Sequence, residues 1–258
     1  MNTKETAAEL QAAAQAMEAA ARRGRAVLPV LKNRCPYVAR QIARDARCPR
    51  LFALWGRCVN VDENVGQTIV HPAILSAIGS LAGVTMRGRL VHAGLQHTYG
   101  YLFSLIDTPY GAKRDRWIST DMEHAFGLEA SLLGAQPRNG TLLANLTYFL
   151  GKLVLPARRL EPLEDMRGAV ARDLRNFDPR GIDVQQIIEQ VRLKEGRQLT
   201  LCTDLVAYPQ RHDGVNETAL LIYSVRIDAR PVRLITAFPV TAAAAAALIA
   251  DVPASGRG

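Results

Sequence analysis

The chain is poor in the residues from which specialised sites are usually assembled. Its 258 residues include four cysteines, Cys35, Cys48, Cys58 and Cys202, and five histidines. No two cysteines stand at CxxC spacing, so a tetrahedral zinc site is not expected and no metal is predicted. Thiols so few and so scattered predict free cysteines in a reducing cytoplasm. No apolar run reaches the roughly 20 residues that a membrane-spanning helix needs. Glu5 and Glu9 stand where an export leader would carry positive charge, so neither a membrane partner nor secretion is expected. The phosphate-cradling glycine loop, the G-x-S-x-G elbow, HExxH and the dinucleotide fingerprint are all lacking. Their absence argues against nucleotide hydrolases, α/β-hydrolases and Rossmann dehydrogenases, and no cofactor is predicted.

Acidic residues are the other scarcity, and it is local. Between positions 21 and 58 ten lysines and arginines face a single acid, Asp45, while the whole chain carries a net charge of +8. Charge concentrated in this way raises the local potential and draws polyanions or acidic surfaces. Arg22, Arg40, Arg44 and Arg47 are the expected contacts to such a partner. A solvated arginine face is the competing explanation.

The pattern along the chain predicts an α+β fold, with antiparallel hairpins and a meander packed against helices and a basic helical amino-terminal region. Residues 1–60 are expected to form that region, 61–250 the core domain with a sub-boundary near 156–162, and 251–258 a disordered tail. Thr6 and Glu9 stand at capping-box spacing before an alanine-rich helix that Gly24 can end. The apolar stripe of that helix is thin, which predicts weak packing. Pro36 suits the first turn of a second helix, and His71-Pro72 opens another that Gly83 closes. Residues 142–155 are apolar and read as strand, and Pro162 starts a helix. Val184, Ile187, Ile188 and Val191 recur at helical spacing and predict a helix over 183–196. Three strands, 198–208, 218–227 and 232–240, should form the meander, followed by an alanine-rich helix to about position 250.

Candidate chemistry lies in an expected hairpin of 97–107 with 112–119, turning at Thr108-Pro109-Tyr110-Gly111. With Asp107 opposite Ala112, one face would carry His97, Tyr99, Tyr101, Phe103, Arg114 and Arg116. Rings flanked by guanidiniums are what base stacking with phosphate neutralisation requires. His97 is the candidate acid or base, Tyr99 its assistant, and Lys113 a third catalytic candidate. Arg114, Arg116 and Tyr101 would bind substrate. In the meander, Asp228 opposite Pro231 sets Arg226 across from Arg233. Like charges across a ladder are unfavourable unless an anion joins them, so this pair is expected to bind substrate too. The alternative is that these rings are core and the arginines reach out from its edge.

The strand Leu234-Ile235-Thr236-Ala237-Phe238-Pro239 is similar over six residues to the last catalytic strand of barnase- and EndoU-like ribonucleases. There a Thr or Ser precedes an aromatic-proline step. No His/His/Lys set stands at matching positions in this chain. Three functions fit the residues. The leading expectation is an enzyme acting on an anionic substrate, best RNA, by metal-independent acid/base chemistry. The others are a lyase or hydrolase acting on a small carboxylated or phosphorylated metabolite, and a non-catalytic nucleic-acid- or partner-binding protein.

Overall fold

The computed structural model describes residues 5–62, 65–108, 111–114, 137–158, 184–207 and 217–241, with single positions at 123, 126, 128, 133, 135, 182, 246, 247 and 250. Helix α1 (Ala7–Arg22) starts as its sequence demands. The Thr6 hydroxyl accepts from the Glu9 amide at 3.2 Å, and the Glu9 carboxylate accepts from the Thr6 amide at 2.6 Å. Leu10, Ala13, Ala14 and Met17 are wholly buried, which corrects the expectation of weak packing. Alanine's small side chain lets the helix sit close to its neighbours. Helices α2 (Val27–Arg34), α3 (Pro36–Asp45) and α4 (Pro49–Ala53) follow, the last two with proline in the first turn. His71 caps α5 (Pro72–Ala82) through Nδ1, which accepts from the Ala73 amide at 3.2 Å. Gly83 ends that helix at φ 65°, the left-handed region glycine enters without penalty.

Three short antiparallel ribbons join the helices: β1 (Arg57–Val59) with β4 (Leu90–His92), β2 (Val61–Asp62) with β3 (Gln67–Thr68), and β5 (Asp107–Thr108) with β6 (Gly111–Ala112). Helix α6 (Leu142–Arg158) precedes a four-stranded antiparallel meander of β7 (Val184–Arg192), β8 (Gln198–Ala207), β9 (Glu217–Ile227) and β10 (Arg233–Thr241). The β10 edge is held by the segment before β1. Leu234 donates to the Leu54 carbonyl at 2.8 Å, and the Gly56 amide donates to Leu234 at 2.7 Å. One buried cluster runs from Leu10 in α1 through α3, α5 and α6 to Leu220, Ile222, Leu234 and Ala237 of the sheet. The class is α+β, as expected. No helix among the described residues is long and apolar enough to cross a membrane.

Several local expectations are corrected. Residues 97–103 are not a strand: Leu95–Gly100 forms a turn of π-helix and Tyr101–Phe103 a 3₁₀ turn. Every residue from Val91 to Ser104 is buried, so alternation along it reported no outward face. At the tip Asp107 pairs with Ala112, as expected. Residues 142–158 are helix rather than strand. Thr141 begins it by accepting from the Ala144 amide at 3.1 Å, and again burial on most sides erased the period. Residues 184–192 are strand rather than helix. The stripe had helical spacing, but Val, Ile, Ile and Val are β-branched and suit a pleated surface. Val184, Ile188 and Val191 lie substantially exposed there.

The meander follows the expected strands in a modified register. Phe238 pairs with Leu221 and Thr236 with Tyr223 as expected, but an irregularity between Leu234 and Thr236 sets Arg233 opposite Val225. Arg226 instead stands beside Thr200 of β8. Arg226 and Arg233 are therefore not directly opposed, contrary to the expected register, and no like-charge pair calls for an anion between them. The main core covers the sheet face of Val206, Leu220 and Ile222. The opposite face, with Leu221, Tyr223 and Phe238, forms a smaller cluster with Leu205 and Val240. Leu220, Leu221 and Ile222 are consecutive, so both faces were apolar in the sequence. The second hairpin strand at 115–119, the helix from Pro162 and the tail lie outside the described residues.

Candidate anion-binding groove

The structure separates the expected site residues into two places. His97, Tyr99, Tyr101, Lys113 and Arg114 are interior; Arg226 and Arg233 are exposed. Arg116 lies outside the described residues. The expected ring-and-guanidinium surface is accordingly absent from the described part of the first hairpin, because its rings belong to the core.

Within that interior group, His97 and Lys113 do come together. The His97 ring meets Tyr101 edge to face at 4.7 Å, and the Lys113 ammonium lies 5.1 Å from the Tyr101 centroid and 5.6 Å from that of Phe238. Lys113 Nζ is 2.7 Å from the Asp62 carboxylate, with both side chains almost fully buried. Burial, with the Lys113 charge nearby, pushes the His97 imidazole down to about 3. The ring is therefore neutral at physiological pH. His97 Nε2 lies 3.6 Å from the Cys58 thiol, which donates to Gln96 Oε1 at 2.5 Å.

Tyr99 faces elsewhere. Its hydroxyl donates to Asp45, and burial drives its pKa well above the ordinary value. Arg114 donates to the Ser104 carbonyl at 3.2 Å and to Gln11 Oε1 at 3.4 Å. These contacts tie adjacent elements together.

The second place is an open groove of about 1220 Å³ between the helical body and the outer-cluster face of the sheet. That exceeds the roughly 300–1,000 Å³ of most small-molecule sites. Leu199 and Leu201 of β8, Val225 and Ile227 of β9, and Ile235 of β10 line its sheet side. Arg57, Arg87, Arg230 and Arg233 also line it, and all four are exposed. No Asp or Glu stands among its described lining residues. Arg57 is steadied by a 3.1 Å bond to the Thr85 carbonyl. The Arg230 and Arg233 side chains flank the turn at Asp228, where φ is 53° and the carboxylate accepts from the Gln198 amide at 2.8 Å.

His92 forms part of the wall. Its Nε2–H donates to the Phe52 carbonyl, which fixes the tautomer and leaves Nδ1 as an acceptor. That nitrogen is buried and has no hydrogen-bond partner among the described residues. Burial outweighs the Phe52 bond and, with Arg57 and Arg233 nearby, lowers the ring to about 4.

Of the four groove arginines, Arg233 was singled out in the sequence and Arg57 was counted in the basic run. Arg87 and Arg230 were missed. They lie on a loop and a turn with no local motif, and folding alone brings them beside the others. Among the described residues no cluster of three His, Cys, Asp or Glu could hold a metal ion. No family model, no curated protein and no solved structure matches the chain.

Proposed function

We propose that this protein binds an anionic polymer, RNA being the best candidate, along the groove between its helical body and its sheet. The observation that carries this is the lining: four exposed arginines from three separate segments, with no carboxylate among the described lining residues. Guanidiniums gathered on a concave surface whose described lining has no carboxylate raise the local potential and attract an anion. The groove is larger than a metabolite needs, which favours a strand over a small acid. Arg47 follows Ala46, itself a lining residue, and with exposed Arg40 and Arg44 it extends positive potential beyond the groove.

Binding is better supported than turnover. His97 is sealed and neutral, and Lys113 is held by Asp62, so neither is presented to a substrate in the groove. Fluorescence anisotropy with a labelled single-stranded RNA tests the proposal. Wild type should bind, and Arg230→Gln with Arg233→Gln should bind at least about tenfold more weakly with unchanged thermal stability. Equal binding by both proteins refutes the role of the groove.

A further inference from the structure

The groove has two kinds of surface, and a double helix can satisfy only one of them. Its guanidiniums suit phosphates, which duplex and single strand both supply. Its sheet side is aliphatic: Leu199, Leu201, Val225 and Ile227, each partly exposed. A duplex presents sugar and phosphate to such a floor and keeps its bases stacked inside, so the floor would stay uncovered. An unpaired strand can lay the faces of its bases there while its backbone follows the arginines.

Resting on the groove as the binding site, we propose that it selects unpaired over paired nucleic acid, with bases against the aliphatic floor and the backbone along the arginines. The experiment uses the full chain with a labelled 12-nucleotide RNA, alone and annealed to its complement, at equal salt. The single strand should bind roughly tenfold tighter than the duplex. Ile227→Ser, a floor change, should remove most of that preference while leaving duplex binding as it was. Arg230→Gln with Arg233→Gln should weaken both ligands together. Equal or tighter duplex binding, lost in the arginine variant, overturns the selectivity and leaves the groove assignment standing. Failure of both RNAs to bind wild type overturns the selectivity and the groove assignment together. A preference that survives Ile227→Ser with circular dichroism unchanged overturns the placement of bases on the floor.

Discussion

The Tyr99 hydroxyl donates to Oδ2 of Asp45 at 2.5 Å, joining the π-turn to the end of α3 inside the core. Thr141, at the start of α6, donates to the other carboxylate oxygen at 2.6 Å. Three elements therefore meet on one acid with no basic partner at hydrogen-bond distance in these contacts. Burial wins over both hydrogen bonds and raises Asp45 from 3.8 to about 6. A raised folded-state pKa means the native protein holds this proton more tightly than the unfolded chain. The contribution is fully present below about pH 3.8 and is lost as pH rises through about 6, to an extent of about 3 kcal/mol. Asp45→Asn removes this dependence. Urea unfolding at about pH 4.5 and about pH 7.5 should show wild type losing ground to the variant at the higher pH; a constant difference would count against it.

His97 and His92 work in the opposite direction. Burial lowers them to about 3 and about 4 from 6.5. Their contribution is present above pH 6.5 and is lost as pH falls toward those folded values, because the unfolded chain binds the protons first. His97→Gln should flatten the acid side of the stability profile. Ring resonances of His97 in wild type should stay constant between about pH 5 and about pH 8, and a midpoint near neutrality would show the ring accessible after all.

Lys113 and Asp62 form a buried ion pair bridging the β6 end to β2. Lys113→Met leaves a buried carboxylate without its cation and should cost about 3–5 kcal/mol. Adding Asp62→Asn should restore part of that loss. A double-mutant cycle by chemical denaturation measures the coupling, and additive effects would deny the pair.

Gly94 sits against closely packed core side chains. A β-carbon there would lie 3.0 Å from Trp55 Cγ and 3.0 Å from Leu143 Cδ1. The indole cannot easily retreat, since Trp55 Nε1 donates to Thr147 Oγ1 at 2.9 Å. Gly94→Ala should therefore destabilise by about 1–3 kcal/mol. Thermal melts read this directly, and an unchanged midpoint would mean the Trp55 site yields.

What could be read from the sequence follows from how locally each feature is specified. The start of α1, the ends of α5 and the strands β8 to β10 each carry their signal within a few residues: Thr6 with Glu9, His71-Pro72 with Gly83, and short apolar runs with β-branched residues between turns. Residues 91–104 and 142–153 had no such signal, because segments buried on nearly every side lack an outward face to set a period. The β7 stripe matched a helix in spacing while its β-branched residues favoured a strand, and pairing with β8 decided it. The leading site failed for the same reason as the first hairpin's strand: His97, Tyr99 and Tyr101 are aromatic because they fill the core. Arg57, Arg87, Arg230 and Arg233 are spread over 177 positions of chain, and only the approach of the sheet to α4 and β1 gathers them.

The central claim is that the groove guanidiniums contact phosphates, and the salt dependence of RNA binding measures this most directly. Each phosphate contact on a single strand contributes about 0.7 to the slope of log affinity against log salt. Replacing Arg230 and Arg233 by glutamine should reduce that slope by about 1.4. An undiminished slope in a folded variant would place the phosphates elsewhere and contradict the account.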